Sequence, residues 1–97
     1  MDAGITVTAR ADGSFDVVVQ DGRQRTSHVV TVPAGLAGEL GAAGCDDIRL
    51  VRSSFEFLLE REPAGSILSR FGLEVIERYF PEYRREMARR LAGQVPP

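Results

Sequence analysis

Residues 46–83 read DDIRLVRSSFEFLLEREPAGSILSRFGLEVIERYFPEY, and this stretch decides the fold. It contains four of the five phenylalanines and both tyrosines of the 97-residue chain. Aromatic side chains bury large apolar areas, so the segment that holds most of them is expected to supply most of the core. The stretch contains no recognisable catalytic set. It therefore indicates how the chain packs and does not by itself indicate what the protein does.

The first part of this stretch predicts one long helix between Asp46 and Pro63. Asp46 or Asp47 can cap the N-terminus, because a carboxylate accepts hydrogen bonds from free backbone N–H groups. Pro63 ends the helix, since proline disfavours helical geometry in the residue before it. Two neighbouring apolar stripes follow helical spacing: Ile48, Val51, Phe55, Leu58 and Leu59 in one, and Leu50 and Phe57 in the other. They merge into an arc of roughly 200°, which predicts a helix covered from two directions.

Short helical pieces are predicted after Pro63, followed by a disordered tail over residues 94–97. Gly72 can supply the left-handed conformation that ends the first piece. The three pieces are a turn over 67–71, a short helix over 73–79 and a last helix over 81–92.

The N-terminal third of the chain predicts three β-strands. Alternating and β-branched residues indicate strands over residues 5–9, 15–20 and 27–32, with turns at Asp12-Gly13 and Asp21-Gly22. Successive strands joined by turns form an antiparallel meander. The glycine-spaced segment 34–44 predicts only a connector with a short helix around residues 36–40.

The expected fold class is therefore α+β, in a single domain over residues 1–97. A three-stranded antiparallel β-meander, within about residues 5–32, is followed by a C-terminal helical segment, about 46–92, packed on one face. The central helix should lie between the sheet and the chain after Pro63, because the connections are short and closure costs little entropy. Such a domain can fold as a monomer. A weak homodimer through the open edge of the first strand or through the last helix stays possible.

Two parts of the stretch, FEFLLEREPAGSIL at 55–68 and RYFPEY at 78–83, resemble the signature of a family of small uncharacterised microbial proteins. The resemblance covers about a third of the chain. Because that family has no established activity, the resemblance implies no catalytic or binding residue.

Composition and charge restrict the classes of function. The formal net charge is −2, and every basic residue is an arginine, which excludes Schiff-base and P-loop lysine chemistry. No apolar run approaches the ~20 residues that span a bilayer, and no export leader is recognisable. The single cysteine cannot form an internal disulfide, which is typical of a reducing compartment. These features predict a cytoplasmic protein with no membrane contact and no cofactor.

His28 and Cys45 are the residues that could carry catalysis. A lone histidine acts as a general base only with a nucleophile or substrate held beside it. Cys45 comes just before the predicted helix N-terminus, where a thiolate would be stabilised. A small enzyme that uses His28 or Cys45 is therefore an alternative. It requires a pocket that brings one of them near Asp46, Asp47 or Glu62.

A cluster of arginines near the C-terminus is the candidate partner or nucleic-acid surface. Its members are Arg78, Arg84, Arg85 and Arg89. Glu82 and Glu86 lie among these arginines at helical spacing, which favours internal ion pairs. The weakly acidic chain also lacks the overall positive charge that nucleic-acid binding usually needs. The favoured interpretation is a non-catalytic protein-interaction or regulatory module with an unknown protein partner, and nucleic-acid binding is the first alternative.

Overall fold

The structure, a computed structural model, describes residues 4–41 and 44–94 of the chain. Within them lie four strands and four α-helices, which confirms the α+β class. The strands are β1 Gly4–Ala9, β2 Phe15–Asp21, β3 Gln24–Thr31 and β4 Arg70–Gly72. The helices are α1 Leu36–Glu39, α2 Asp47–Leu59, α3 Ile76–Tyr79 and α4 Tyr83–Gln94, and 3₁₀ turns occupy Ala64–Ser66 and Leu73–Val75.

The sheet has the strand order β1-β2-β3-β4, and its first three strands form the expected antiparallel meander. A turn of two residues joins β2 to β3, because Asp21 pairs with Gln24. Gly22 opens this turn with a φ of 64°, which residues with a Cβ rarely adopt. The strand therefore begins at Gln24, earlier than the expected start at Ser27.

The fourth strand corrects the three-stranded prediction. The segment 67–71, expected to be a helical turn, instead leads into β4, which runs parallel to β3 with Val30 opposite Phe71. The Val29 N–H donates to the Ser69 carbonyl at 2.8 Å, so pairing begins just before the strand. Gly72 has a φ of −94° and a ψ of 151°, an extended conformation rather than a left-handed one. Pairing with β3 buries Phe71 and leaves Arg70 exposed.

One face of the sheet forms a wall of the core, and the helices pack against it. The buried residues of this face alternate along the strands and include Phe15, Val17, Val19, His28 and Val30. The residues between them are half-buried or exposed, as Val18 and Val29 show. The prediction that the helical segment covers one face is therefore confirmed.

The central helix α2 begins where the sequence predicts. Its cap is Asp46, whose carboxylate accepts a hydrogen bond from the Arg49 N–H at 2.7 Å. The expected core position of Ile48 is wrong, because 41% of this residue is exposed. Its direction around the helix is right, since it lies two turns before the buried Phe55.

Two layers cover α2, as its wide apolar arc indicates. On the sheet side, the ring of Phe55 lies 5.9 Å from that of Phe71. On the opposite side, the ring of Phe57 lies 5.4 Å from that of Tyr83 in an edge-on arrangement. Leu50 and Phe57 are fully buried. The helix thus lies between the sheet and the C-terminal segment of its own chain.

The last helix docks through the narrow stripe of Tyr83, Met87 and Leu91, all of which are buried. It begins at Tyr83 and continues to Gln94, so the expected limits of 81–92 are shifted toward the C-terminus. Gln94, assigned to the disordered tail, belongs to the helix, and residues 95–97 lie outside the described residues.

Candidate functional site

A groove of about 330 Å³ opens between the C-terminal end of α2, the segment that leads into β4, and the turn-and-helix segment through α3. We call it the apolar groove. Its apolar lining consists of Leu58, Ile67, Leu68, Phe71, Val75, Ile76, Tyr79 and Phe80, and its polar lining consists of Glu62 and Ser66.

The apolar groove combines a buried floor with an exposed rim. Ile67 and Ile76 are almost completely buried. In contrast, 49% of Leu68 and 67% of Tyr79 remain exposed. Complete burial of a large apolar side chain contributes roughly 1.5–3 kcal/mol. Burial of Leu68 and Tyr79 by a partner would therefore be favourable.

His28 fixes the rim to the sheet. Its ring is buried, and Nδ1 donates a hydrogen bond to the Leu68 carbonyl at 2.7 Å. Nε2 is hydrogen-bonded to the Thr26 hydroxyl at 2.9 Å, and the ring centroid lies 5.3 Å from that of Phe55. Both ring nitrogens are thus engaged in contacts within the fold. The backbone that carries Leu68 is held in place although its side chain is exposed.

Cys45 lies in a different environment from the one expected. Its side chain is partly buried, and Sγ donates to the Asp46 carbonyl at 3.5 Å. Burial and the nearby carboxylates of Asp46 and Asp47 raise the pKa of the Cys45 thiol, although the Arg49 charge opposes them. The predicted stabilisation of a thiolate is therefore wrong.

The enzyme hypothesis requires a pocket that contains His28 or Cys45, and neither of the two depressions described at the ends of α2 contains either residue. Glu62 lines the apolar groove without His28 or Cys45. Asp46 lines a separate depression of about 280 Å³ at the helix N-terminus, which also lacks both residues. Within residues 4–41 and 44–94, no group of three His, Cys, Asp or Glu residues could hold a metal ion.

The candidate arginine surface is partly neutralised by acids. Arg84 pairs with Glu77 at 3.2 Å, and Arg89 pairs with Glu86 at 2.7 Å. The two remaining candidates, Arg78 and Arg85, are exposed and have no ion-pair partner in the described part of the chain. The arginines therefore alternate with carboxylates and do not form a continuous positive strip. Nucleic-acid contact through them stays a prediction.

Sequence reasoning missed the apolar groove because it expected the chain after Pro63 to cover α2, whereas Leu68 in that part of the chain is exposed. The chain is extended at Ile67, and successive side chains of an extended segment point to opposite sides. Ile67 takes the inward position, which leaves Leu68 outside. The available signal was the adjacent pair Ile67-Leu68, both apolar, in a segment that cannot bury both.

Comparison of the chain with protein-family models, with curated proteins and with solved structures gives no match. The resemblance of residues 55–68 and 78–83 to an uncharacterised family therefore stays a prediction. Among the helices of the described residues, none has the length and apolar character needed to cross a membrane. The apolar groove is the feature on which a function can rest.

Proposed function

We propose that the protein is a non-catalytic interaction module that binds a segment of a partner protein in the apolar groove. The observation that carries this proposal is the exposure of Leu68 and Tyr79 above a buried apolar floor. Interfaces derive most of their affinity from a few large side chains that become fully desolvated on binding. Leu68 and Tyr79 are suited to this role. A cytoplasmic location stays a prediction from the single cysteine.

The size of the groove favours side chains of a partner over a larger ligand. Its volume of about 330 Å³ lies at the lower end of the roughly 300–1,000 Å³ of small-molecule sites. A helix in a groove needs room only for side chains spaced three or four residues apart. The lining includes Leu58 of α2 and Ile76 and Tyr79 of α3, and it provides such room.

The fixed rim also supports binding. Hydrogen bonds from His28 to the Leu68 carbonyl and from the Val29 N–H to the Ser69 carbonyl anchor the backbone at the exposed leucine and at the residue that follows it. A binding surface that is already ordered loses less conformational entropy when a partner docks. The entropy cost of ordering the groove therefore reduces the affinity only slightly.

Affinity capture with a matched pair of variants tests the proposal. Leu68→Asp places a charge at the mouth of the groove, and Ile48→Asp places the same charge at an exposed apolar residue on the first turn of α2. Tagged wild-type and variant proteins are incubated with native lysate, and the captured proteins are quantified. We expect a protein that the wild type and Ile48→Asp retain and that Leu68→Asp loses.

The captured protein is then purified and titrated by calorimetry. Removal of an interface anchor costs about 2 kcal/mol or more, which corresponds to an approximately thirtyfold weaker Kd for Leu68→Asp. Equal melting temperatures for the two variants verify that both are folded. If Leu68→Asp captures the same proteins as the wild type, the groove is not the binding site and the proposal is refuted.

A further inference from the structure

The lining of the apolar groove carries charge of one sign. Among the described residues that line it, Glu62 is the only charged one. Its side chain is half-buried, and its backbone N–H donates to the Leu58 carbonyl at 2.9 Å. Glu62 is therefore held against the end of α2 at the edge of the apolar surface. Arg78 precedes Tyr79 in the chain, but its side chain is exposed and does not line the groove.

The chain provides no cation for Glu62 within residues 4–41 and 44–94. The adjacent Arg61 is committed elsewhere, since its Nε donates to Glu82 at 3.0 Å. Glu60, two residues earlier, is paired with Arg90. Both neighbouring charges are thus balanced within the fold, whereas the carboxylate that faces the groove is not.

The end of α2 is already contacted by groups of the fold. The carbonyl groups at a helix C-terminus carry a partial negative charge that attracts cations. Here the Arg61 guanidinium donates to the Phe57 carbonyl at 3.3 Å, and the Leu58 carbonyl accepts from the backbone N–H groups of Arg61 and Glu62. The attraction for a cation in the groove therefore comes from the Glu62 carboxylate.

We propose that the segment bound in the apolar groove is amphipathic and basic. It places an apolar side chain against Leu68 and Tyr79 and a lysine or arginine against Glu62. This inference rests on the proposed interaction function and adds the chemistry of the partner. The segment and the groove are then complementary in charge as well as in polarity. Charge complementarity increases the specificity and the association rate of binding in addition to its affinity.

The basic helix of a second copy does not meet this description. This helix is α4, and its apolar stripe is already buried, since Tyr83, Met87 and Leu91 lie in the core of their own chain. It could enter a neighbour's groove only by leaving its own fold. We therefore infer a partner that is a different protein, and a dimer is an outcome that the test below would detect.

Selection from a phage-displayed library of random linear peptides tests the inference. Wild-type protein, Glu62→Gln, Glu62→Arg and the control Glu56→Gln are used as targets. Glu56 is an exposed carboxylate on α2 that does not line the groove. We expect wild-type and Glu56→Gln targets to enrich peptides with spaced apolar residues beside lysine or arginine. Glu62→Gln should lose the basic preference, and Glu62→Arg should favour acidic residues instead.

Titration with a synthetic copy of one selected peptide measures how much Glu62 contributes to the affinity. An ion pair that is partly exposed predicts an approximately fivefold weaker Kd for Glu62→Gln, and the difference should shrink as salt is added. Leu68→Asp should abolish binding of the same peptide. Sedimentation of the free protein should give a monomer at all concentrations, and native mass spectrometry should show no bound lipid.

The outcomes separate the two proposals. Groove-binding peptides that show no basic preference, or a basic preference that survives in Glu62→Gln, overturn the inference and leave the interaction function standing. Failure to select any peptide that depends on Leu68 overturns both. A dimer that Leu68→Asp dissociates, or a lipid that it releases, identifies a different occupant and also overturns the inference.

Discussion

Tyr83 joins two helices through a single buried hydroxyl. Only 1% of the residue is exposed, and its hydroxyl is hydrogen-bonded to that of Ser54 at 2.8 Å. Ser54 also donates to the Leu50 carbonyl at 2.8 Å within α2. Burial raises the pKa of Tyr83 from 10 to about 12, because the phenolate would lose its hydration.

This pKa shift predicts a loss of stability at high pH. The fold favours the neutral tyrosine, so its contribution is fully present below pH 10 and is lost as the pH rises toward about 12. A difference of about two pKa units corresponds to about 3 kcal/mol of unfolding free energy. Denaturant titrations of the wild type across this pH range should show the decrease, and Tyr83→Phe should remove most of it.

Tyr79→Phe is the matched control, since Tyr79 is largely exposed. This variant should keep the decrease of the wild type, because it leaves the buried Tyr83 hydroxyl unchanged. A Tyr83→Phe protein that loses stability over the same pH range as the wild type would show that another group causes the effect.

Single residues also show what the sequence could not supply. Strand alternation over residues 27–32 places His28 on the same face as Val30, and both residues are buried. The partner of His28, the carbonyl of Leu68, is 40 residues away along the chain, so no local pattern indicates the bond. For Cys45 the sequence indicated the nearby helix N-terminus, but it could not weigh partial burial and two carboxylates against it.

Among the elements, α2 could be predicted and β4 could not. The helix has clear start and stop signals, and its apolar residues repeat over several turns. The strand has only three residues, whereas alternation becomes recognisable over about four to eight. Its pairing also joins Val30 to Phe71, far apart in the chain, and that pairing depends on the position of α2 between them. Short strands of this kind become visible only after the core is assembled.

The two faces of α2 should differ sharply in their sensitivity to mutation. Phe55 is fully buried between His28 and Phe71, so Phe55→Ala removes contacts on two sides and leaves a cavity. The expected cost is ~3–5 kcal/mol of unfolding free energy. Glu56→Ala, on the exposed face of the same turn, should cost less than ~0.5 kcal/mol. Denaturant melts of both variants measure the difference, and similar losses would show that the helix is oriented differently.

At the scale of the whole molecule, the chain after Pro63 has two structural roles. It supplies β4 to the sheet, and it supplies the rings of Phe80 and Tyr83 that cover Phe57. Arg61 strengthens the packing of the C-terminal segment on α2. It pairs with Glu82 at 3.0 Å, and its guanidinium lies 3.7 Å from the centre of the Phe57 ring. The sequence predicted the cover but not the strand, because apolar content indicates burial without indicating backbone pairing.

Removal of this part of the chain should therefore destroy more than a surface layer. A protein that ends at Glu62 lacks β4, one of the two partners of β3, and exposes Leu50 and Phe57 on α2, both fully buried in the intact fold. Two large apolar side chains and an unpaired strand edge in water favour aggregation. We expect aggregation on light scattering and loss of the cooperative thermal transition. A protein that ends at Gln94 is the control and should keep the cooperative transition, because it retains every core residue of the described part of the chain. If the Glu62 form were soluble, monomeric and cooperatively folded, the C-terminal segment would not be part of the core.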